Sequence, residues 1–317
     1  MPLAPQNLPR PGGPVFLADG GLETTLVFLE GIELPCFAAF PLVLSDEGLQ
    51  RLERYFVPYL RTAVERKVGF VLDTPTWRAN ADWGGKLGFS PRAIADANRR
   101  SVAWAAGLGA AFATPDTTIV INGVVGPRGD GYQPGIRMSG DEARHYHAPQ
   151  IEALREAGAD MVTAVTMTYP DEAIGIVRAA SAAGAPVAVS FTVETDGKLP
   201  SGDTLGAAIE RVDRETAGGP LYYMINCAHP SHFEAAVATG EPWTARIGGV
   251  RANASAKSHA ELDEAQTLDA GDPVDLGERY LGLCRHLTKM SVLGGCCGTD
   301  HRHIVAICDA VLRHPGG

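Results

Sequence analysis

The sequence has no uninterrupted apolar run long enough to span a bilayer. It also has no apolar h-region near its start, so residues 1–14, with five prolines, read as a flexible tail rather than a signal peptide. Positive charge is in short supply: 27 Lys and Arg stand against 37 Asp and Glu, a net charge of −10. Nothing makes a basic patch, which argues against a nucleic acid or an anionic membrane as partner. No Gly-x-Gly-x-x-Gly turn follows the first apolar run, because Asp19-Gly20-Gly21-Leu22-Glu23 does not supply one. Beyond the proline-rich start there is no low-complexity segment, and no composition break calls for a second domain. Six cysteines without a secretion signal point to a cytoplasmic protein. In that reducing compartment clustered thiols more often mean metal or catalysis than disulfides.

What is present is an alternation. The chain of 317 residues is 45% hydrophobic, enough to bury a large single core. Short apolar or β-branched runs at Val15–Ala18, Phe70–Asp73, Thr118–Ile121, Met161–Val165, Val187–Phe191, Leu221–Ile225, Ile247–Val250 and Met290–Leu293 read as strands. Between and after them lie helical patterns at Asp46–Arg66, Ala93–Ala113, Asp141–Ala157, Asp171–Ala183, Leu205–Thr216, Ser231–Ala238, Val274–Lys289 and Asp300–Leu312. Eight strands each followed by a helix predict an α/β chain folded as a single (β/α)8 TIM barrel over residues 15–314. An open doubly wound sheet is the runner-up, weakened by the missing glycine fingerprint.

The stretch that packing explains least is Gly294-Gly295-Cys296-Cys297-Gly298. Neighbouring side chains on a strand point to opposite faces, so two adjacent sulfurs meet one ion only where the backbone leaves strand geometry. Glycine permits that departure. A third thiol, Cys227, follows another strand-like run, in Ile225-Asn226-Cys227-Ala228-His229. On a barrel all three fall where strands end and active sites form. Three thiolates on Zn²⁺ are one ligand short of a closed structural site. An incoming thiol in the fourth position would lose its proton and remain an electron-rich nucleophile. Two readings stand beside this one. Cysteine is also a small buried hydrophobe, the default for Cys36, Cys284 and Cys308. A closed local site of Cys296, Cys297, His301 and His303 is the other, although residues two apart on a helix converge poorly.

The sequence resembles the homocysteine S-methyltransferase family, the zinc-dependent homocysteine-binding barrels. Three blocks carry the match in order: Asp19-Gly20-Gly21, Asn226-Cys227 and Gly294-Gly295-Cys296-Cys297-Gly298. Weaker similarities lie at Asn122–Pro127, Gly158-Ala159-Asp160 and Asn253-Ala254-Ser255, so the likeness spans nearly the whole chain. The resemblance implies one zinc on Cys227, Cys296 and Cys297, and methyl transfer to homocysteine to give methionine. It also implies that Asp19, Gly20 and Gly21 help hold the amino acid, with Asn226 and Asn253 as further substrate-binding residues. One departure concerns the amine. Many members place a glutamate near the end of strand four, and alignment on Gly158-Ala159-Asp160 puts Val165 there. Glu194 and Asp196, after strand five, are the substitutes the sequence offers, and an acceptor other than homocysteine is the alternative.

The implied methyl donor is a cation: a sulfonium such as S-methylmethionine or S-adenosylmethionine, with the quaternary ammonium of betaine as second choice. Such cations are recognised by aromatic faces. Trp77, Trp83, Tyr132 and Tyr169 follow predicted strands and are the candidate walls. Two other classes of function remain at this stage: a barrel whose zinc is purely structural or sensory, and a metal-free lyase using Asp19 and Glu194 as acid and base. The sequence leaves the oligomeric state open.

Overall fold

A computed structural model describes residues 2–312; residues 313 and 314 of the expected barrel lie outside the described residues. Eight parallel strands close on themselves in chain order, β1-β2-β3-β4-β5-β6-β7-β8. They are β1 Phe16–Leu17, β2 Gly69–Asp73, β3 Ile119–Val125, β4 Met161–Met167, β5 Val187–Phe191, β6 Tyr223–Asn226, β7 Ile247–Ala252 and β8 Val292–Gly295. Closure comes from β1 pairing with β8, Phe16 beside Val292 and Leu17 beside Leu293. The eight helices between them are α1 Asp46–Arg66, α2 Pro91–Phe112, α3 Gly140–Glu156, α4 Pro170–Ala182, α5 Leu205–Thr216, α6 Pro230–Val237, α7 Pro273–Cys284 and α8 His301–Leu312. The predicted TIM barrel is therefore the fold.

Local chemistry sets the helix starts. Ser45 and Ser90 accept the amides of Gly48 and Ala93, three residues into their helices. Ser139 and Glu142 form a reciprocal capping box at the start of α3. Three short helical pieces were not foreseen: Leu22–Thr24 running into Thr25–Leu29, Ala81–Lys86, and His259–Asp263. All three belong to connections that follow strands, on the same side of the barrel as the cysteines.

The barrel interior is layered, as the period of two along a strand dictates. A lower apolar plug contains Phe16, Val71, Val120, Met161, Met224 and Val292, with Leu8 from the proline-rich segment packed beneath it. That segment runs along the lower rim, where Leu3 N–H donates to Asp160 and Ser291 Oγ donates to the Arg10 carbonyl. Two residues further along the strands the inward positions turn polar: Asp73, Asn122, Thr163, Ser190, Asn226 and Arg251, all buried. This polar layer forms the floor of the site.

Candidate functional site

Above the floor lies a cavity of about 400 Å³ whose wall includes Asp19, Asp73, Val165, Asn226, Arg251 and Gly295, from the C-terminal ends of six strands. The three cysteines of the sequence reading line it too. Each reaches it through a break in strand geometry. Cys227 follows β6 with φ 53°, a left-handed conformation that costs a β-carbon-bearing residue free energy. Cys296 and Cys297 follow β8 and lead into Gly298 at φ 78°. A β-carbon on Gly298 would stand 2.7 Å from the Asp269 carbonyl oxygen, so only glycine fits that turn. The three sulfurs lie within 4.8 Å of one another, and no other His, Cys, Asp or Glu among the described residues joins them. Cys227 and Cys296 are joined as a disulfide, while the Cys297 thiol is free.

Three sulfurs gathered at strand ends suit a thiophilic dication such as Zn²⁺. Both bonded cysteines must be reduced before they can serve as ligands. Burial pushes the Cys297 thiol up to about 11, and the Tyr132 hydroxyl 3.4 Å from its sulfur opposes the rise only in part. The thiol is thus neutral near pH 7 without a cation beside it. The closed local alternative fails on position: His301 bonds Thr62 and His303 bonds Asp300, and neither joins the sulfur group. Of the cysteines read as packing residues, Cys308 is buried, Cys284 is partly buried and Cys36 is exposed.

Beneath the sulfurs, Arg251 on β7 is bonded to both Asp19 and Asp73. Its Nε donates to the Gly295 carbonyl at 3.1 Å, one residue before Cys296. Tyr55 donates to Asp19 at 3.0 Å and Asn122 donates to Asp73 at 2.7 Å. Burial is the largest influence on Asp19 and outweighs the Arg251 charge, raising its carboxyl to about 6. Asn226, on the cavity wall, clamps β4 to β5 and β6. Its carboxamide oxygen accepts from the Thr166 amide and from Ser190 Oγ, and its nitrogen donates to Thr166 Oγ1. His259 fixes the third side: Nε2–H donates to the Cys227 carbonyl at 2.7 Å, and its ring stacks on Tyr132 at 4.0 Å.

Of the residues named from the sequence, Asp19, Gly20, Gly21, Trp77, Asn226, Cys227, Cys296 and Cys297 share the cavity wall, as does Tyr132. Trp83, Tyr169, Glu194, Asp196 and Asn253 do not belong to that wall. The Trp83 ring has Arg78 and Lys86 against it, each 3.8 Å from its centroid. Tyr169 is buried with its hydroxyl on the Met138 amide. Glu194 pairs with His259 at 3.3 Å, exposed Asp196 with Lys198 at 3.8 Å, and Asn253 N–H donates to the Ala228 carbonyl. Glu23, Asp73, Arg251 and His259 were not among the site residues expected from the sequence. A signal existed for Arg251 and Asp73, since each is a charge within or ending an apolar strand, at the period of its inward face.

The family model for homocysteine S-methyltransferase matches residues 16–311. The chain belongs to this family. The fold comparison agrees: the homocysteine methyltransferase MmuM of Escherichia coli, in its oxidized form, superposes with a TM-score of 0.72 at 20% identity, over 94% of this chain and 96% of that one. Its metallated form gives 0.72 at 19% identity, over 94% and 97%. At such identity the likeness speaks for the fold. Curated proteins yield no match to the sequence. Membership makes the barrel a methyltransferase-family enzyme, and its three clustered thiols sit where the family resemblance places a metal.

Proposed function

We propose that this homocysteine S-methyltransferase family member moves a methyl group from a sulfonium donor to the sulfur of homocysteine, with Zn²⁺ held by Cys227, Cys296 and Cys297. The observation that carries the reading is the trio of sulfurs within 4.8 Å, without a fourth protein donor among the described residues, on the wall of a substrate-sized cavity. When bound there, zinc supplies the charge that keeps an incoming thiol deprotonated and nucleophilic at neutral pH. The chain's own residues do the positioning. Arg251 ties β8 to the polar floor through the Gly295 carbonyl, and His259 holds the Cys227 carbonyl. Asn226 fixes the end of β4 against β6.

The donor side follows from charge and surface. The cavity wall carries six carboxylates (Asp19, Glu23, Asp73, Asp130, Asp263 and Asp269) against two guanidiniums, Arg78 and Arg251. That balance favours a cation. Trp77, Tyr132 and Phe56 also face it, and aromatic faces attract sulfonium and quaternary ammonium groups. A sulfonium is the better leaving group, which places S-methylmethionine or S-adenosylmethionine ahead of betaine. The reaction then balances simply: the acceptor sulfur bonds the methyl carbon as the carbon–sulfonium bond breaks, leaving two thioethers. The test is to incubate reduced, zinc-loaded protein with homocysteine and each donor in turn, with and without chelator, and to measure methionine by mass spectrometry. Zinc-dependent methionine from a sulfonium supports the reading. Turnover unaffected by removal of the metal would refute it.

A further inference from the structure

An amino-acid acceptor brings an ammonium group into the cavity, and an ammonium taken from water needs a carboxylate to meet it. Val165 faces the cavity from β4 and offers none. Most of the carboxylates that line it are already engaged. Asp19 holds Arg251 and Tyr55, and Asp73 holds Arg251 and Asn122. Asp130 accepts the Tyr132 amide at 2.9 Å and pairs with Arg78 at 3.6 Å. Asp269 accepts from Ser255 and pairs with Lys257. Asp263 is exposed.

Glu23 is different. It is half-buried on the cavity wall, and beyond its own amide its carboxylate bonds no group among the described residues. The stronger of the two cationic influences on it, Arg78, pairs with Asp130 at 3.6 Å and lies over the faces of Trp77 and Trp83 without a hydrogen bond to Glu23. Glu23 also stands on the turn that touches the metal-site loop. Gly21 N–H donates to the Thr299 carbonyl at 3.0 Å, and Gly298 N–H donates to Thr24 Oγ1 at 3.2 Å, on either side of Glu23. A β-carbon on Gly21 would stand 2.6 Å from the Cys296 carbonyl oxygen, so this turn and the thiol loop are in van der Waals contact.

We propose that Glu23 receives the ammonium of the acceptor, the task that Val165 cannot perform, and so selects α-amino thiols over plain thiols. This rests on the methyl-transfer reading above. Burial raises the Glu23 carboxyl to about 7, as expected for an acid waiting for a cation rather than one already paired. The role is substrate binding at a distance from the sulfur chemistry, so its loss changes KM and acceptor choice more than kcat.

The experiment compares homocysteine with 4-mercaptobutanoate, the same thiol acid without the amino group, in wild type and E23Q. Both proteins are first shown to hold equal zinc and to unfold at similar temperatures. Binding of methionine against 4-(methylthio)butanoate, by calorimetry, gives a readout that needs no turnover. Wild type is expected to favour the amino compound in both assays by about 30-fold or more, and E23Q to lose that preference. Glu23→Asp, which keeps the charge on a shorter stem, is expected to retain part of it. Undiminished discrimination in E23Q overturns the assignment while leaving methyl transfer intact. Loss in Glu23→Asp with none in E23Q also overturns it, by assigning the effect to side-chain shape. A KM change for the donor alone would move Glu23 to the donor side and refute the proposal. Wild type that neither methylates homocysteine nor binds methionine would sink the methyl-transfer reading itself, and Glu23 with it.

Discussion

Replacing Arg251 by methionine removes the cation bonded to both Asp19 and Asp73. The three groups are nearly inaccessible, with relative exposures of 2% for Asp19, 7% for Asp73 and 8% for Arg251. Deleting one partner of a buried ion pair leaves an uncompensated charge and costs about 3–5 kcal/mol. Methionine fills a similar volume, so an added cavity cost is small. The sign of the pH dependence follows from Asp19. Burial already raises its carboxyl to about 6 with the guanidinium present. Without Arg251 the opposing attraction disappears and the carboxyl climbs further. A group raised in the folded state keeps its proton longer than the unfolded chain does. Its penalty is therefore complete above the folded pKa and fades as the pH falls towards the roughly 3.9 of a free aspartate. Urea unfolding of wild type and R251M at pH 8 and pH 5.5 should show the full loss at pH 8 and a clearly smaller one at pH 5.5. A loss below about 1 kcal/mol at pH 8, or an equal loss at both pH values, would contradict the role of Arg251 as counter-charge to Asp19 and Asp73. The same variant should retain zinc poorly, because Gly295, beside Cys296, loses its hydrogen bond to Arg251.

Four further outcomes are expected. Cys297→Ala should abolish stoichiometric zinc while leaving the far-ultraviolet circular dichroism unchanged; a fold lost together with the metal would point to a structural zinc. Mild oxidation should join Cys227 to Cys296, release zinc and stop turnover, with both restored by thiol reductant and zinc; oxidised protein that keeps its metal would contradict this. Gly21→Ala should lower stability by about 1–3 kcal/mol and reduce zinc affinity, since its new methyl group presses on Thr24 Oγ1 and on the Cys296 carbonyl; a neutral effect by thermal unfolding and metal titration would contradict these contacts. Ligand-free E23Q should be more stable than wild type at pH 8, by about 1–2 kcal/mol, and the gain should vanish near pH 4.5. The carboxyl raised to about 7 destabilises the fold only where it is ionised, so equal stability at pH 8 would contradict its burial.

The fold was open to reading because the signals that carry it are local. Asp46–Arg66 and Leu205–Thr216 have an apolar stripe and an N-capping residue immediately before them, Ser45 and Thr204, and both end where the sequence pattern ends. β3 shows the limit. Asn122-Gly123 looks like a turn, yet the strand continues to Val125. Asn122 is an inward floor residue bonded to Asp73, and a β-carbon on Gly123 would stand 2.9 Å from Leu154, so both residues answer to tertiary neighbours. Ala81–Lys86 was hidden because it spans less than two turns and contains Gly84 and Gly85.

The site divides in the same way. The three cysteines were visible because adjacent thiols between glycines have few packing explanations. Arg251 showed only as a charge at the end of an apolar strand, since the aspartates that neutralise it come from strand ends that meet it only when the barrel closes. His259 was hidden for the same reason, as its partners Cys227 and Tyr132 belong to other loops. Trp83 shows the converse. It lies on the expected rim, yet neighbouring Arg78 and Lys86 lie against its ring, which sequence order alone does not reveal.

The most direct measurement is X-ray absorption at the zinc edge of reduced, zinc-loaded protein, before and after homocysteine is added. Three sulfurs at about 2.3 Å and one lighter atom are expected before addition, and four sulfurs afterwards. Four protein ligands from the outset, or a sulfur count that homocysteine leaves unchanged, would contradict a three-sulfur site completed by the acceptor.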